Sequence, residues 1–223
     1  MDKKNARSDL HEQLFAQFAR VGKAISSPAR LELLHLLSQG EKSVEQVARG
    51  AGLTVANTSQ HLQQLKSARM VVSRKEGQQV QYSLAAQSVH TLLYQLQAFG
   101  VERLLEVQEL LSTHLAPLNG TSPIRRDEAL KMIESKKITP LDIRPNDEFL
   151  SGHLPSAISV PFSDIEGRMD ELKREKPVLI YSRSGFSEDA YQAVAVLRKA
   201  GLEANRLEGG WPDWARDGLP SER

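Results

Sequence analysis

Val178-Leu179-Ile180-Tyr181 runs into Ser182-Arg183-Ser184-Gly185-Phe186-Ser187, and a helical stretch opens at Glu188. Pro177 to Tyr181 form a continuous apolar run of the kind buried in parallel sheets. A strand, a short glycine-bearing loop and a helix in that order can turn several backbone N–H groups inward. The helix N-terminus adds positive potential. Residues 183–187 are therefore a candidate anion cradle, with Ser182 at its mouth. Taken alone, the hexapeptide reads better as an ordinary strand-to-helix turn with Ser187 as N-cap.

The surrounding sequence gives that turn its context. Ile138 to Ile143 and Ala157 to Pro161 are two further short apolar runs. Helical stretches alternate with the apolar runs, at Arg125 to Ser135, Glu166 to Arg174 and Glu188 to Ala200. Alternation of this kind predicts an α/β domain with a parallel sheet, in which ligands bind beyond the carboxyl ends of the strands.

Upstream the pattern changes. Leu10, Leu14, Phe15, Phe18 and Val21 recur at helical spacing within Asp9 to Gly22. Ser27-Pro28 supplies an N-cap and a first-position proline for a helix over 29–38, with Leu31, Leu34 and Leu37 inward. Ser43 caps a short helix that Gly52 ends. Thr54 opens the next, Val55 to Ser67, with Val55, Leu62 and Leu65 inward. Met70 to Val72 and Val80 to Leu84 read as strands of a hairpin around Glu76-Gly77. One long helix from Ser88 to about Leu115 follows, with a broad apolar stripe that includes Leu92, Leu96, Phe99, Leu104, Val107 and Leu111. Two short helices across a tight turn, then a hairpin, describe an α+β winged helix-turn-helix. Its second helix would lie in a DNA major groove. Asn57, Thr58, Ser59, Gln60, His61 and Gln64 are that helix's polar positions, and Arg74 and Lys75 in the wing suit phosphates.

Pro117 and Pro123 bracket Asn119-Gly120, so the expected division is a helical domain over 1–116, a linker over 117–123 and an α/β domain over 124–223. The chain of 223 residues is long enough for two such domains. Net charge is +1, so no global field draws it to nucleic acid or membrane. Residues 1–117 carry 13 Lys and Arg against 10 Asp and Glu, a local +3. No apolar run approaches the roughly 20 residues that span a bilayer, and no apolar segment follows the polar N-terminus, so a cytoplasmic protein is expected. The chain has no cysteine, which excludes disulfides, thiolate metal sites and cysteine nucleophiles.

The stretches Ser27 to Leu34, Leu53 to Leu65 and Gln81-Tyr82-Ser83-Leu84 resemble the ArsR family of bacterial repressors over about residues 8–115. The resemblance implies a homodimer, held by the first and last helices, on a palindromic double-stranded operator. It also implies DNA-facing roles for Asn57, Thr58, Ser59, Gln60, His61 and Gln64. Many members sense metals, but the third helix here offers Ser43-Val44-Glu45-Gln46 in place of a thiolate pair. His90 and His114 on the last helix lie 24 residues apart without carboxylates at ligand spacing. Neither a metal nor a cofactor is expected.

The second half resembles a rhodanese domain over about residues 123–220. Its landmarks are Leu141-Asp142-Ile143-Arg144, Glu148-Phe149, Gly152 to Ala157, the 182–187 loop and Leu207 to Trp214. Such domains transfer sulfane sulfur through a loop cysteine that becomes a persulfide, with thiosulfate, polysulfide or small persulfides as donors. Ser182 stands at that cysteine's position, and Ser187 at the position of a second one. A serine hydroxyl is too weakly acidic to replace a thiolate and cannot hold a persulfide. The chain as written is therefore not expected to transfer sulfur. It reads either as an anion-binding relative or as a cysteine-free form of a sulfur-reactive parent; serine at both positions favours the second. The expected function is a DNA-binding repressor whose second domain senses or processes reactive sulfur species. The alternative is a sulfurtransferase carrying an autoregulatory DNA-binding domain.

Overall fold

A computed structural model describes residues 3–118, 122–172 and 176–223. The chain folds as two compact units, one reaching to Leu93 and one from Tyr94 onward. The first contains α1 (Lys3–Ile25), α2 (Pro28–Leu37), β1 (Lys42–Ser43), α3 (Val44–Gly50), α4 (Val55–Ser67), β2 (Val71–Glu76) and β3 (Gln79–Leu84). The helix α5 (Gln87–Arg103) begins there.

Local chemistry sets these boundaries. Ser43 and Gln46 form a reciprocal capping box at the start of α3, and the Thr54 hydroxyl accepts from the Asn57 N–H at the start of α4. Between them Gly52 has φ of +63°, which an L side chain adopts only with strain. Leu33, Leu34, Leu36, Leu37, Val47, Leu62 and Leu65 are all nearly inaccessible and make one core with Met70, Val71, Tyr82, Val89 and Leu93. The hairpin pairs Glu76 with Gln79 around Gly77, and β1 adds a third, antiparallel strand beside β3. β1 is two residues long and so leaves no periodicity in the sequence.

Two expectations for this region are corrected. Val55 is 45% exposed, and Thr58 takes the inward position with Leu62 and Leu65, a spacing of four and three that suits one helix face. The long final helix is broken: Leu104 adopts an extended backbone between α5 and α6 (Leu105–His114). Gly100, a weak helix former, sits one turn earlier. The Gln108 side-chain amide donates to the Val101 and Glu102 carbonyls near the break.

The second unit continues through α7 (Arg126–Glu134), β4 (Thr139–Asp142), α8 (Asn146–Ser151), β5 (Ile158–Ser159), α9 (Met169–Leu172), β6 (Val178–Tyr181), α10 (Glu188–Lys199), β7 (Ala204–Arg206) and α11 (Trp211–Arg216). Its sheet is fully parallel in the order β5-β4-β6-β7. β6 is buried along its whole length: Val178 and Ile180 pack into one core with α10, and Leu179 and Tyr181 into another with Trp211 and Trp214. A strand covered on both faces needs apolar residues at every position, which is what the run 178–181 supplies.

The second compact unit begins at Tyr94, within α5, and three residues of the expected linker (119–121) lie outside the described ones. The later turns of α5 go with the second unit, where the Arg216 guanidinium stacks 3.7 Å from the centre of the Tyr94 ring. The expected helix at 166–174 is described only to residue 172 and is ordered as α9.

Candidate functional site

The loop 182–187 leaves the carboxyl end of β6, a central strand of the parallel sheet, and enters α10. Ser182 is 6% exposed. Its hydroxyl donates to the Ser187 hydroxyl at 2.9 Å, so the side chains at the two ends of the loop meet. Phe186 is 44% exposed.

Three contacts fix the loop. The Ser182 carbonyl accepts from the Trp211 N–H at 2.9 Å. Arg183 donates through both Nε and Nη2 to the carboxylate of Glu148 on α8, whose side chain is almost fully buried. The backbone of Gly210 lies so close that a Cβ there would fall 2.5 Å from the Arg183 carbonyl carbon and the Ser184 nitrogen. Only glycine permits that approach. Beneath the loop, Asp142 and Arg144 form a fully buried pair at 2.6 Å, and Arg144 also donates to the Gly152 carbonyl. Tyr181, next to the loop, is held in its neutral form: burial pushes its phenol well above the ordinary value.

This arrangement offers an anion two things. The N-terminus of a three-turn helix points at the loop, and among the described residues none accepts a hydrogen bond from the Ser184 or Gly185 N–H. Two features work against a small anion. Glu188 and Asp189 already occupy the first turn of α10 and offset its dipole. Arg183 is engaged by Glu148, so its guanidinium braces the loop.

In the first unit, α4 presents its polar face to solvent. Asn57, Ser59 and Gln60 share a shallow depression with Thr54, Ala56 and Gln63. Thr58 is fully buried, its hydroxyl without a partner among the described residues, so its side chain leaves the set that can face a duplex. Gln64 is turned aside: its Oε1 accepts from Arg30 Nη1 at 2.7 Å. His61 is half-buried, with Nδ1 inaccessible. Gln63 was not anticipated; its place one turn after Gln60 is the signal that finds it. In the wing, Arg74 makes a close pair with Glu41 at 2.6 Å and a longer one with Glu76, while Lys75 is exposed. Among the described residues no group of three or more His, Cys, Asp or Glu side chains is placed to hold a metal ion. Among the described residues no helix is long and apolar enough to cross a membrane.

Comparison with known proteins matches both halves. The family model described as rhodanese-like domain matches residues 125–217, and that described as bacterial regulatory protein, arsR family, matches residues 27–73. The HTH-type transcriptional regulator Rv0324 of Mycobacterium tuberculosis is 36% identical over 96% of this chain and 94% of its own. A sulfurtransferase of Allochromatium vinosum is 36% identical over 40% of this chain and 83% of its own. The winged helix-turn-helix fragment Mb0332 of Mycobacterium bovis, a possible ArsR-family regulator, aligns with a TM-score of 0.41 at 38% identity. It covers 48% of this chain and 92% of its own.

Proposed function

Because the chain belongs to the ArsR-type transcriptional regulators that carry a rhodanese-like domain, we propose that it is a repressor governed by sulfur species bound at the 182–187 loop. The observation that supports this is the meeting of the Ser182 and Ser187 side chains at the end of β6. Two cysteines in the same places would take up sulfur and then bridge. A thiolate in place of Ser182 attacks the outer sulfur of thiosulfate. A new S–S bond forms, the bond to the sulfonate breaks, and sulfite leaves with the electron pair. A second thiolate in place of Ser187 then attacks the sulfur joined to the chain, closing a disulfide and releasing hydrosulfide. The bridge removes a charge from the loop and changes its shape, and the operator equilibrium reads that change. The chain with serine at both positions retains the cradle without the transfer chemistry.

Asn57, Ser59, Gln60 and Gln63 are the side chains proposed to meet bases, with Arg74 and Lys75 on phosphates. Leu14, Phe15 and Phe18 of α1, and Phe99 and Leu104 at the other end of this region, stand 45–62% exposed. That much apolar surface is more than a monomer of this size usually leaves in water, and it supports an isologous homodimer. Fluorescence anisotropy on a palindromic duplex from the upstream region tests the whole reading. The double variant Ser182→Cys with Ser187→Cys should bind it and change affinity on polysulfide treatment, while the serine chain binds and does not respond. A double variant whose affinity is the same before and after treatment refutes sulfur control, and equal binding to random duplex refutes the repressor.

A further inference from the structure

Beside the loop, within the second unit, lies a cavity of about 530 Å³. One wall is a single face of α5: Tyr94, Gln97, Ala98, Val101 and Glu102 recur at intervals of three, one, three and one, which is helical spacing for one side. The opposite wall is Ser184, Gly185 and Phe186 of the loop with Gly209. The cavity is therefore mostly apolar and aromatic, too large for an inorganic ion alone, and sized for a small organic molecule.

Its charges are unbalanced. Among the described lining residues the cation is Arg126, which is 17% exposed and spent on Asp217 at 2.7 Å and on the Glu208 carbonyl. Asp213 is spent on Arg216 and on the Gly210 N–H. Glu102 and Glu208 remain open to solvent, at 66% and 51%; Glu102 pairs with its neighbour Arg103, and Glu208 has a long contact of 3.7 Å to Arg126 and the nearby charge of Arg125. An anion approaching the loop from this side passes two exposed carboxylates, whereas a cationic group is attracted by them. The two sides of the cavity thus ask for opposite charges: negative at the loop amides, positive at the carboxylate rim.

We propose that this cavity selects a zwitterionic organic sulfur compound, with an anionic sulfur end at the loop, a short aliphatic body against Tyr94, Val101 and Phe186, and an ammonium group at Glu102 and Glu208. The inference rests on the reading of the loop as a sulfur site and names its substrate class. It assigns specificity to residues of α5, outside the rhodanese-like segment.

Isothermal titration of the full serine chain tests it with three stable probes: S-(2-aminoethyl) thiosulfate, S-ethyl thiosulfate and inorganic thiosulfate. The aminoethyl compound should bind about fivefold more tightly than either of the others, the size expected for an exposed ion pair shared by two carboxylates. Glu102→Gln combined with Glu208→Gln should erase that preference, and S-ethyl thiosulfate should bind that variant no more weakly than the unmodified chain. Phe186→Ala should weaken both organic probes. Inorganic thiosulfate binding as tightly as the aminoethyl compound, a preference that survives the double Gln variant, or no saturable binding by any probe overturns the proposal. Its failure is separable from that of the loop reading. If Ser182→Cys takes sulfur from thiosulfate while the ammonium contributes nothing to binding, this inference falls and the loop reading stands. If the preference is found but no donor loads the introduced thiol, the pocket assignment stands and the loop reading falls.

Discussion

The sulfur chemistry proposed for the loop turns on one atom, the Ser182 oxygen. A thiol in its place would sit buried at the end of a strand, which raises its pKa, and near open amides and the start of α10, which lower it. The amides and dipole act on the thiolate directly, so the balance should bring it from about 8.5 toward neutrality despite the carboxylates of Glu188 and Asp189. Ser182→Cys treated with thiosulfate should therefore gain one sulfur, about 32 Da by mass spectrometry, and the serine chain none. A thiol that stays unmodified sinks the assignment. Glu148 gives a second test. Its carboxylate is nearly buried and holds Arg183, itself one-third exposed. Glu148→Ala should cost about 2 kcal/mol, the charged hydrogen bond less what Arg183 regains from water. That corresponds to a fall in Tm of roughly 10 °C in thermal unfolding, and an unchanged Tm would show that the pair does not brace the loop. The sequence brought out Ser182 and Ser187 because their spacing and the apolar run before them are local. It counted Arg183 with the anion cradle because the partner, Glu148, lies 35 residues away and its burial is a tertiary fact.

At the scale of elements, most of the architecture was legible. The four-residue run at 178–181, the caps at Ser43 and Thr54, and the proline after Ser27 are strong local signals, and each element they mark is present. What escaped has a common cause. β1, β7, α8 and α11 span two to six residues, too short for periodicity to show. The break at Leu104 escaped because leucine is a good helix former and the apolar stripe continues through it; only backbone geometry reveals it. Thr58 escaped because a polar residue on the inward face looks like part of the polar face until burial is known. The exposed apolar side chains of α1 and of the α5–α6 break make the element-scale prediction. Leu104→Lys places a charge where a partner would bury it, at a cost of several kcal/mol to association. Sedimentation should show a dimer for the unmodified chain and a monomer for the variant, with specific DNA binding lost in parallel. A monomer for the unmodified chain would end the dimer assignment.

For the whole molecule the question is how a chain of net charge +1 holds a polyanion. The first 117 residues carry a modest surplus of +3, and a dimer doubles it. Attraction must therefore come from cations placed at the contact face, and the wing's Arg74 is not idle there. Its guanidinium is pushed above its ordinary value, first by the hydrogen bond to Glu41 and then by that to Glu76. All three side chains are substantially exposed, so water and salt screen these pairs and leave them weak. A phosphate can displace a carboxylate at that strength, but each binding event then costs the pair and leaves Glu41 facing the duplex. Glu41→Gln removes both penalties. It should tighten binding to any duplex by a few-fold for two protomers, without altering the ratio of specific to random sequence. It should also steepen the fall of log affinity with log salt by up to about two, one counterion for each guanidinium released to a phosphate. Gln60→Ala should do the reverse, lowering the specific-to-random ratio and leaving the salt slope unchanged. Anisotropy titrations between about 50 and 200 mM salt separate the two effects. If Glu41→Gln leaves both the affinity and the slope where they were, Arg74 does not touch phosphate, and the wing lies away from the DNA.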